Sequence, residues 1–228
     1  MRMYSKVDNM TPQHGVVIVY EDNHVIVAVK PQNLLSQKDA TNDPDILGIL
    51  KNYLKQKYNK PGEVYLGLVH RLDRPAGGLM VFARTSKAAS RLFVSMQNGE
   101  IEKKYMICCS GVPDLKESKF TDYLLKLDGN IVKIIDKETP GAQRAQLIYK
   151  LIETNGKRSI CEVTLISGRK HQIRVQFASR GMPLIGDVKY GRSGKKLALW
   201  ASSLAFIHPV KKERMEFTYP PPKGVVEL

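Results

Sequence analysis

The sequence predicts an α+β fold built around a mixed, mostly antiparallel sheet, with helices flanking the sheet. Two observations favour this class. Short apolar runs rich in β-branched residues outnumber the segments with helical spacing. Several of these runs are separated by short turns, as the strands of a hairpin are. With 228 residues, 43% of them hydrophobic, the chain can bury a sizeable core, which we expect to span about 16–222 within a single domain of 1–228.

Two pairs of apolar runs predict hairpins. Residues 16–20 and 24–29 flank the turn-forming sequence Glu21-Asp22-Asn23. Residues 147–152 and 159–166 flank a second turn that contains Asn-Gly, a common hairpin signal. Further strands are expected over 64–69, 79–83, 104–110, 120–135, 197–207 and 213–219.

Two segments predict helices, and a third is open between helix and strand. Residues 45–58 carry apolar side chains at helical spacing. A second helix is expected after Thr85 or Ser86, either of which can cap it, with Leu92 and Phe93 in its apolar stripe and Gly99 at its end. The ambiguous segment is 168–178.

The charge of the chain points to a polyanionic partner. Lys and Arg number 36 against 22 Asp and Glu, for a formal net charge of +14. Between Gly168 and Arg214 there are 11 Lys or Arg and two acids, and such clustering suits phosphate contacts. Nucleic acid is the commonest polyanionic partner and an anionic membrane the second, while a basic surface kept for solubility is the alternative to both. No apolar run reaches the length of a membrane span, and the first ten residues lack the apolar core of a signal peptide. The spacing of the three cysteines fits no zinc-binding pattern. We therefore expect a cytoplasmic protein.

A charged loop between two predicted strands holds the residue of greatest interest. Asp73 lies between Arg71 and Arg74, and nearby cations favour an ionised carboxylate. A held, ionised carboxylate can act as a nucleophile or a base. For this short pattern taken alone, a surface ion pair is the commoner explanation.

The wider sequence resembles the RluA-type family of RNA pseudouridine synthases. His70-Arg71-Leu72-Asp73-Arg74, followed after two residues by Gly77-Gly78-Leu79, resembles the family's first motif. Three further stretches match in order: 102–105, 167–174 and 181–191, followed by 206–209 and 220–222. The resemblance runs from about Val16 onward and implies the family's catalytic fold, with a central cleft and without a separate S4 RNA-binding domain.

The resemblance implies a role for each matching residue. Asp73 is similar to the catalytic aspartate, and Arg174 to the arginine paired with it. Tyr105 resembles the tyrosine that packs on the target base, and Ile173 an apolar wall of the uracil pocket. Arg71 resembles the arginine that enters the RNA stack where the base leaves. Phosphate contacts are expected from Arg169, Lys170, Lys189, Lys195 and Lys196.

The implied reaction converts specific uridines of structured ribosomal or transfer RNA to pseudouridine, with neither metal nor organic cofactor. Uracil must leave ribose C1′, rotate and rejoin through C5, which requires a flipped-out base. Asp73 can attack C1′, attack C6 or remove a sugar proton, and the sequence leaves these open. We expect a bacterial-type enzyme that acts as a monomer, without an obligatory protein partner.

Two alternatives and several departures accompany this interpretation. A non-catalytic RNA-binding protein on the same fold should have lost Asp73, Tyr105 or Arg174, and a carboxylate-dependent hydrolase should have a second acid near Asp73. Ala76 and Gly77 stand where the family commonly has Thr-Ser, and Gln176 and Trp200 stand where His is frequent. The remaining expectations are a tight turn at Gly77-Gly78, structural hydrogen bonding by His70 and His171, and packing by Trp200.

Overall fold

The protein is described from a computed structural model over residues 12–191, 194 and 196–228. The α+β class predicted from the sequence is confirmed. The strands are β1 Val17–Glu21, β2 Val25–Lys30, β3 Gly67–Leu68, β4 Gly77–Ala83, β5 Glu102–Ser110, β6 Glu117–Lys126, β7 Val132–Ile135, β8 Gln143–Thr154, β9 Arg158–Leu165, β10 Leu199–Ile207 and β11 Arg214–Thr218. The helices are α1 Ile46–Lys57, α2 Ser86–Gln97 and α3 Gln172–Ala178, with a 3-10 turn at Asp128–Asn130.

The chain forms two compact units. Unit 1 consists of the chain up to Ile101 together with Ser203–Tyr219, and unit 2 of Glu102–Ser202 together with Pro220–Leu228. Strand β10 begins in unit 2 and ends in unit 1. The assignment of a single domain stays a prediction.

Unit 1 is built on a short antiparallel sheet. Strand β2 lies between β1 and β4, and both β2 and β4 are buried along their whole length. The part of β10 from Ser203 onward pairs with β11. Asp45 caps the N-terminus of α1, where its carboxylate accepts from the Gly48 N–H at 2.9 Å. Thr85 caps α2, where its hydroxyl accepts from the Ala88 N–H at 3.1 Å. The predicted first hairpin and both helices of this unit are confirmed.

Three expectations for unit 1 are wrong in detail. The run 64–69 forms only the two-residue strand β3, and just beyond the C-terminal end of β3 the Val81 N–H donates to His70 Nε2 (3.1 Å) instead of to a strand partner. Gly77 and Gly78 do not form a turn but begin β4, where Gly78 pairs with β2 at a φ of 120°. Phe93 is 55% exposed, since α2 buries the face that carries Leu92.

Unit 2 contains a longer antiparallel sheet, with the strand order β5-β9-β8-β6-β7. The predicted hairpin around the Asn-Gly turn is confirmed as β8 and β9. The ambiguous segment forms α3, which packs an aromatic cluster of Phe120, Tyr149 and Phe177. Trp200 is buried, as predicted. All three cysteines of the chain lie in this unit as free, buried thiols.

Candidate active site

The loop between β3 and β4 presents Asp73 at a half-buried position. Arg71 is exposed, whereas Leu72 between them is 7% exposed and anchors the loop in the core of unit 1. The carbonyl of Asp73 accepts from the Ala76 N–H at 3.0 Å, which closes a turn immediately before β4. The aspartate therefore stands on a short, locally closed loop with one neighbour packed inward.

The segment that follows β2, residues 31–36, is hydrogen-bonded to this loop. The hydroxyl of Ser36 accepts from the Leu72 N–H at 3.1 Å and donates to the Leu72 carbonyl at 2.7 Å. The Asn33 N–H donates to the Arg74 carbonyl at 2.8 Å. Both neighbours of Asp73 are thus hydrogen-bonded to the same segment.

Lys30, the last residue of β2, is fully buried beside this loop. Its ammonium donates to the carbonyls of Leu34 at 2.7 Å, Pro31 at 3.0 Å and Arg74 at 3.1 Å. Burial lowers the pKa of Lys30 to about 7, and the Asp73 carboxylate acts in the opposite direction. A buried lysine therefore lies in the electrostatic neighbourhood of Asp73.

The side chain of Arg74 bonds residues outside the loop. One of its terminal nitrogens lies 2.7 Å from a carboxylate oxygen of Asp43, and its Nε donates to the Asn33 carbonyl at 3.3 Å. Its side chain is 45% exposed in this ion pair. Arg74 thus ties the loop to neighbouring surface segments of unit 1.

In unit 2, Arg174 forms a buried two-point ion pair with Asp187. The Nε and Nη2 of Arg174 donate to the two carboxylate oxygens at 2.8 and 2.7 Å, and the two side chains are 4% and 0% exposed. Burial alone would raise the pKa of Asp187, but the hydrogen bonds and charge of Arg174 outweigh it and hold the pKa below its ordinary value. Asp187 also accepts from the backbone N–H of Lys189 and Tyr190.

His171, at the start of α3, is hydrogen-bonded to Tyr190. Its Nδ1 lies 2.7 Å from the Tyr190 hydroxyl, which also accepts from the Val132 N–H at 2.9 Å. The guanidinium of Arg174 lies 5.2 Å from the centre of the Tyr190 ring, at cation–π distance. The structural hydrogen bonding predicted for His70 and His171 is confirmed.

The two apolar candidates are both buried in unit 2. Tyr105 lies on β5 opposite Val163 of β9 and is 6% exposed. Ile173, which precedes Arg174 on α3, is 4% exposed. The candidates thus divide between the units, with Arg71 and Asp73 in unit 1 and Tyr105, Ile173 and Arg174 in unit 2.

The residues predicted to contact phosphate fall in unit 2, and some of them already donate hydrogen bonds to other groups of the protein. Lys170 donates to the Asn130 side chain at 2.5 Å, and Lys189 donates to the carbonyls of Asn130 and Gly129 at 3.1 and 3.4 Å. The exposed Arg169 donates from Nε to the Arg144 carbonyl at 3.2 Å. Lys196 is exposed, and Lys195 lies outside the described residues.

Three residues of these networks were missed by sequence reasoning. Asp187 stands within the third matched stretch, so its position was visible, but its pairing with Arg174 was not. Ser36 gives no signal in the sequence, and Lys30 shows only as a lysine that ends an apolar run before proline. Within the described part of the chain, no group of three or more His, Cys, Asp or Glu could hold a metal ion. No helix there is long and apolar enough to cross a bilayer.

Comparison with known proteins establishes the family of the chain. The family model described as RNA pseudouridylate synthase matches residues 24–179, more than half of the chain. The chain belongs to the RNA pseudouridylate synthase family. It is therefore an isomerase that acts on uridine in RNA.

Named relatives of this family cover most of the chain. The ribosomal large subunit pseudouridine synthase D of Haemophilus influenzae is 32% identical over 92% of this chain and 69% of its own length. The protein of the same name from Zymomonas mobilis is 31% identical over 88% of this chain and 67% of its own. YhcT of Bacillus subtilis, described as an uncharacterized RNA pseudouridine synthase, is 29% identical over 98% and 75%.

A solved structure supports the pseudouridylate synthase fold. Human RNA pseudouridylate synthase domain containing 4 superposes with a TM-score of 0.76 at 21% identity, covering 91% of this chain and 89% of that protein. At this identity the likeness concerns the fold alone. The resemblance stated from the motifs is thereby confirmed at the level of family and fold.

Proposed function

We propose that this pseudouridylate synthase modifies specific uridines of structured RNA with Asp73 as its catalytic carboxylate. The proposal rests on the geometry of the loop that carries Asp73. Asp73 is half-buried, and its two neighbours, Leu72 and Arg74, are hydrogen-bonded to the segment after β2. Ribosomal RNA is the substrate class to test first, since two relatives are named for the large ribosomal subunit. Transfer RNA is the alternative.

The reaction gives a carboxylate at the position of Asp73 a chemical role. Breaking the bond from N1 of uracil to C1′ leaves positive character on the sugar, and an adjacent carboxylate stabilises it, as in glycoside hydrolysis. The uracil, which keeps the electron pair of the broken bond at N1, then rotates, and a bond forms between C5 and C1′. The hydrogen of C5 leaves as a proton and N1 takes up a proton, so the product is an isomer of the substrate. No oxidant, reductant or group donor is needed, so we expect catalysis without a metal or organic cofactor.

The remaining roles follow from the residues' chemistry and exposure. The exposed Arg71 is proposed to occupy the gap left by the flipped base, because a flat guanidinium can stack and also meet phosphates. Tyr105 would give the uracil an aromatic face, and Ile173 an apolar wall. Arg174 uses Nε and Nη2 for Asp187, which leaves its proposed pairing with Asp73 to the other donors of the guanidinium.

The basic surface of unit 2 is proposed to hold the RNA backbone. Lys170 and Lys189 bond Asn130, but an ammonium has three donors and can meet phosphate as well. Arg169, Lys195 and Lys196 complete the proposed set. We expect the enzyme to act on RNA as a monomer in the cytoplasm, without an obligatory protein partner.

The test is tritium release from RNA transcribed with 5-tritiated uridine. Formation of the C5 bond expels the label, so release reports isomerisation directly. The comparison is wild type against Asp73→Asn, with Asp136→Asn as a control at an exposed aspartate. We expect release by wild type and the control, and none above background from Asp73→Asn.

Two results would contradict the proposal in different ways. Equal release by Asp73→Asn would reject the role of the aspartate but leave the activity. No release by wild type from ribosomal or transfer RNA lacking modifications would favour an RNA-binding protein that has lost turnover.

A further inference from the structure

We propose that an exposed apolar surface of unit 2, formed by Val188, Ile131 and Leu127, packs against an unpaired base of the RNA substrate. The inference rests on the proposed function and deepens it, because it adds apolar contacts to an RNA site that has so far been described by its charges. The family resemblance gives none of these three residues a role.

Val188 leaves most of its side chain in water. It is 70% exposed, the largest fraction among the exposed large hydrophobic residues of the part of the chain that the structure describes. A single exposed apolar residue is common in soluble proteins and needs no explanation by itself. The case of Val188 is different because its backbone is fixed and because other exposed apolar residues lie on a segment bonded to it.

The turn that carries Val188 is held by hydrogen bonds on both sides of this residue. Before it, the Asp187 carboxylate is fixed by Nε and Nη2 of Arg174, at 2.8 and 2.7 Å. After it, the backbone N–H groups of Lys189 and Tyr190 donate to the same carboxylate at 3.0 and 3.2 Å. A side chain presented by a fixed turn has little conformational freedom to lose on binding, which favours a contact surface.

The tip of the β6–β7 hairpin adds two exposed apolar residues and is bonded to this turn. Ile131 is 43% exposed and Leu127 is 36% exposed, and the Leu127 N–H donates to the Ile131 carbonyl at 2.8 Å. Lys189 Nζ donates at 3.1 Å to the carbonyl that precedes Ile131, and the Tyr190 hydroxyl accepts at 2.9 Å from the N–H that follows it. The two residues after Val188 are therefore bonded on either side of Ile131, which brings the apolar residues of both segments into one region.

The charges of this region favour RNA as the occupant. Residues 126–133, 169–170 and 188–190 contain one acid, Asp128, and five basic residues: Lys126, Lys133, Arg169, Lys170 and Lys189. Basic side chains bind phosphates, whereas the face of an unpaired base is apolar and packs on apolar side chains. Basic residues beside a fixed apolar surface suit both parts of a nucleotide, so we take RNA rather than a protein as the partner.

Protection of an introduced thiol tests the contact directly. The three native cysteines are buried, so the introduced thiol of Val188→Cys should be the fast-reacting one. We expect a saturating transcript of large-subunit ribosomal RNA, or of transfer RNA in a parallel arm, to slow its reaction with N-ethylmaleimide by at least about tenfold. Val112→Cys is the matched control, since Val112 is 41% exposed and lies between β5 and β6 of the same unit, and RNA should slow it less than about twofold.

A second variant separates an apolar contact from a phosphate contact. Val188→Thr keeps the shape of the side chain but replaces a methyl group with a hydroxyl, and we expect the Kd for RNA in filter binding to rise by about 3–10-fold. The slope of log affinity against log salt should not change, because no charge is altered, whereas Lys189→Gln should reduce it by about 1. Val112→Thr should bind as wild type does, and an unchanged urea midpoint checks that Val188→Thr is folded.

The outcomes separate the inference from the function on which it rests. Protection of Val188→Cys by RNA, with weaker binding by Val188→Thr at an unchanged salt slope, would support the apolar contact. Labelling that RNA does not slow would overturn it, as would wild-type affinity of Val188→Thr. Protection without RNA that grows with protein concentration would also overturn it, because a second copy of the chain would then cover the surface. Binding and protection without tritium release would reject the proposed function alone, whereas release without protection would reject this inference alone.

Discussion

Replacing Asp187 with alanine tests the buried ion pair of unit 2. The carboxylate is 0% exposed and accepts two charged hydrogen bonds from Arg174, at 2.8 and 2.7 Å. It also accepts from the backbone N–H of Lys189 and Tyr190, at 3.0 and 3.2 Å. The substitution therefore removes the carboxylate that is bonded to Nε and Nη2 of a guanidinium that is only 4% exposed, and it frees two backbone donors.

The expected cost follows from breaking one side of a buried pair. Removing one partner of such a pair destabilises proteins by about 3–5 kcal/mol, because the remaining charge stays buried. In a chain of this size 1 kcal/mol lowers Tm by about 2–4 °C, so Tm should fall by about 6–20 °C. An exposed pair in the same unit provides the control: Lys104 and Glu162 are 42% and 33% exposed, and Glu162→Ala should cost about 0–1 kcal/mol.

The assay is urea unfolding followed by far-ultraviolet circular dichroism, with both variants compared at the same pH and salt. We expect a lower midpoint for Asp187→Ala at an unchanged slope, and a near wild-type midpoint for Glu162→Ala. A loss below about 1 kcal/mol for Asp187→Ala would refute the reasoning, since the buried arginine would then not depend on this carboxylate.

Three further predictions concern the RNA site and unit 1. Arg71→Ala should lower the rate of single-turnover tritium release by at least about tenfold, while RNA affinity measured by filter binding should change by less than about threefold. An unchanged release rate would reject the role of Arg71 in base flipping. Burial tends to raise the pKa of Asp22, but hydrogen bonds to its carboxylate hold the pKa well below its ordinary value. The stability that the ionised Asp22 contributes is therefore present above about pH 4 and is lost as the pH falls further. The urea midpoint of Asp22→Asn should therefore fall less between pH 5 and pH 3 than that of wild type, and parallel curves would contradict this. Thr85→Ala should cost about 1 kcal/mol, because the Ala88 N–H loses its cap, and Thr85→Ser should recover most of it in the same unfolding measurement.

Local features of the fold could be predicted because they depend on neighbouring residues. The helical spacing after Asp45 and the Asn-Gly turn before β9 gave the correct element types. Phe93 was predicted to be buried and is exposed, because periodicity shows that a helix has two faces but not how far the covered face extends. Residues 64–69 have strand composition, yet pairing stops where His70 takes the Val81 amide, which composition does not encode.

In the candidate site, too, the residues in contiguous motifs could be predicted, and the contacts between distant residues could not. Asp73, Tyr105 and Arg174 could be named because the motifs are contiguous and follow one another in order along the chain. The pairing of Arg174 with Asp187 could not be deduced, since Asp187 is 13 residues away and becomes its neighbour only through the turn after α3. The proposed phosphate contacts were chosen by charge alone, which does not show that Lys170 and Lys189 also bond Asn130.

The sequence by itself determined the α+β class, the basic character of the chain and the loop that carries Asp73, because composition, periodicity and contiguous motifs are local properties. Only the tertiary structure showed what holds that loop. Lys30 and Arg74 are 44 residues apart, and Ser36 and Leu72 are 36 apart. Their contacts depend on β2 pairing with β4, which brings the end of one strand beside the start of the other. Such long-range hydrogen bonds are set by how strands pack, and the residues that make them carry no pattern of their own.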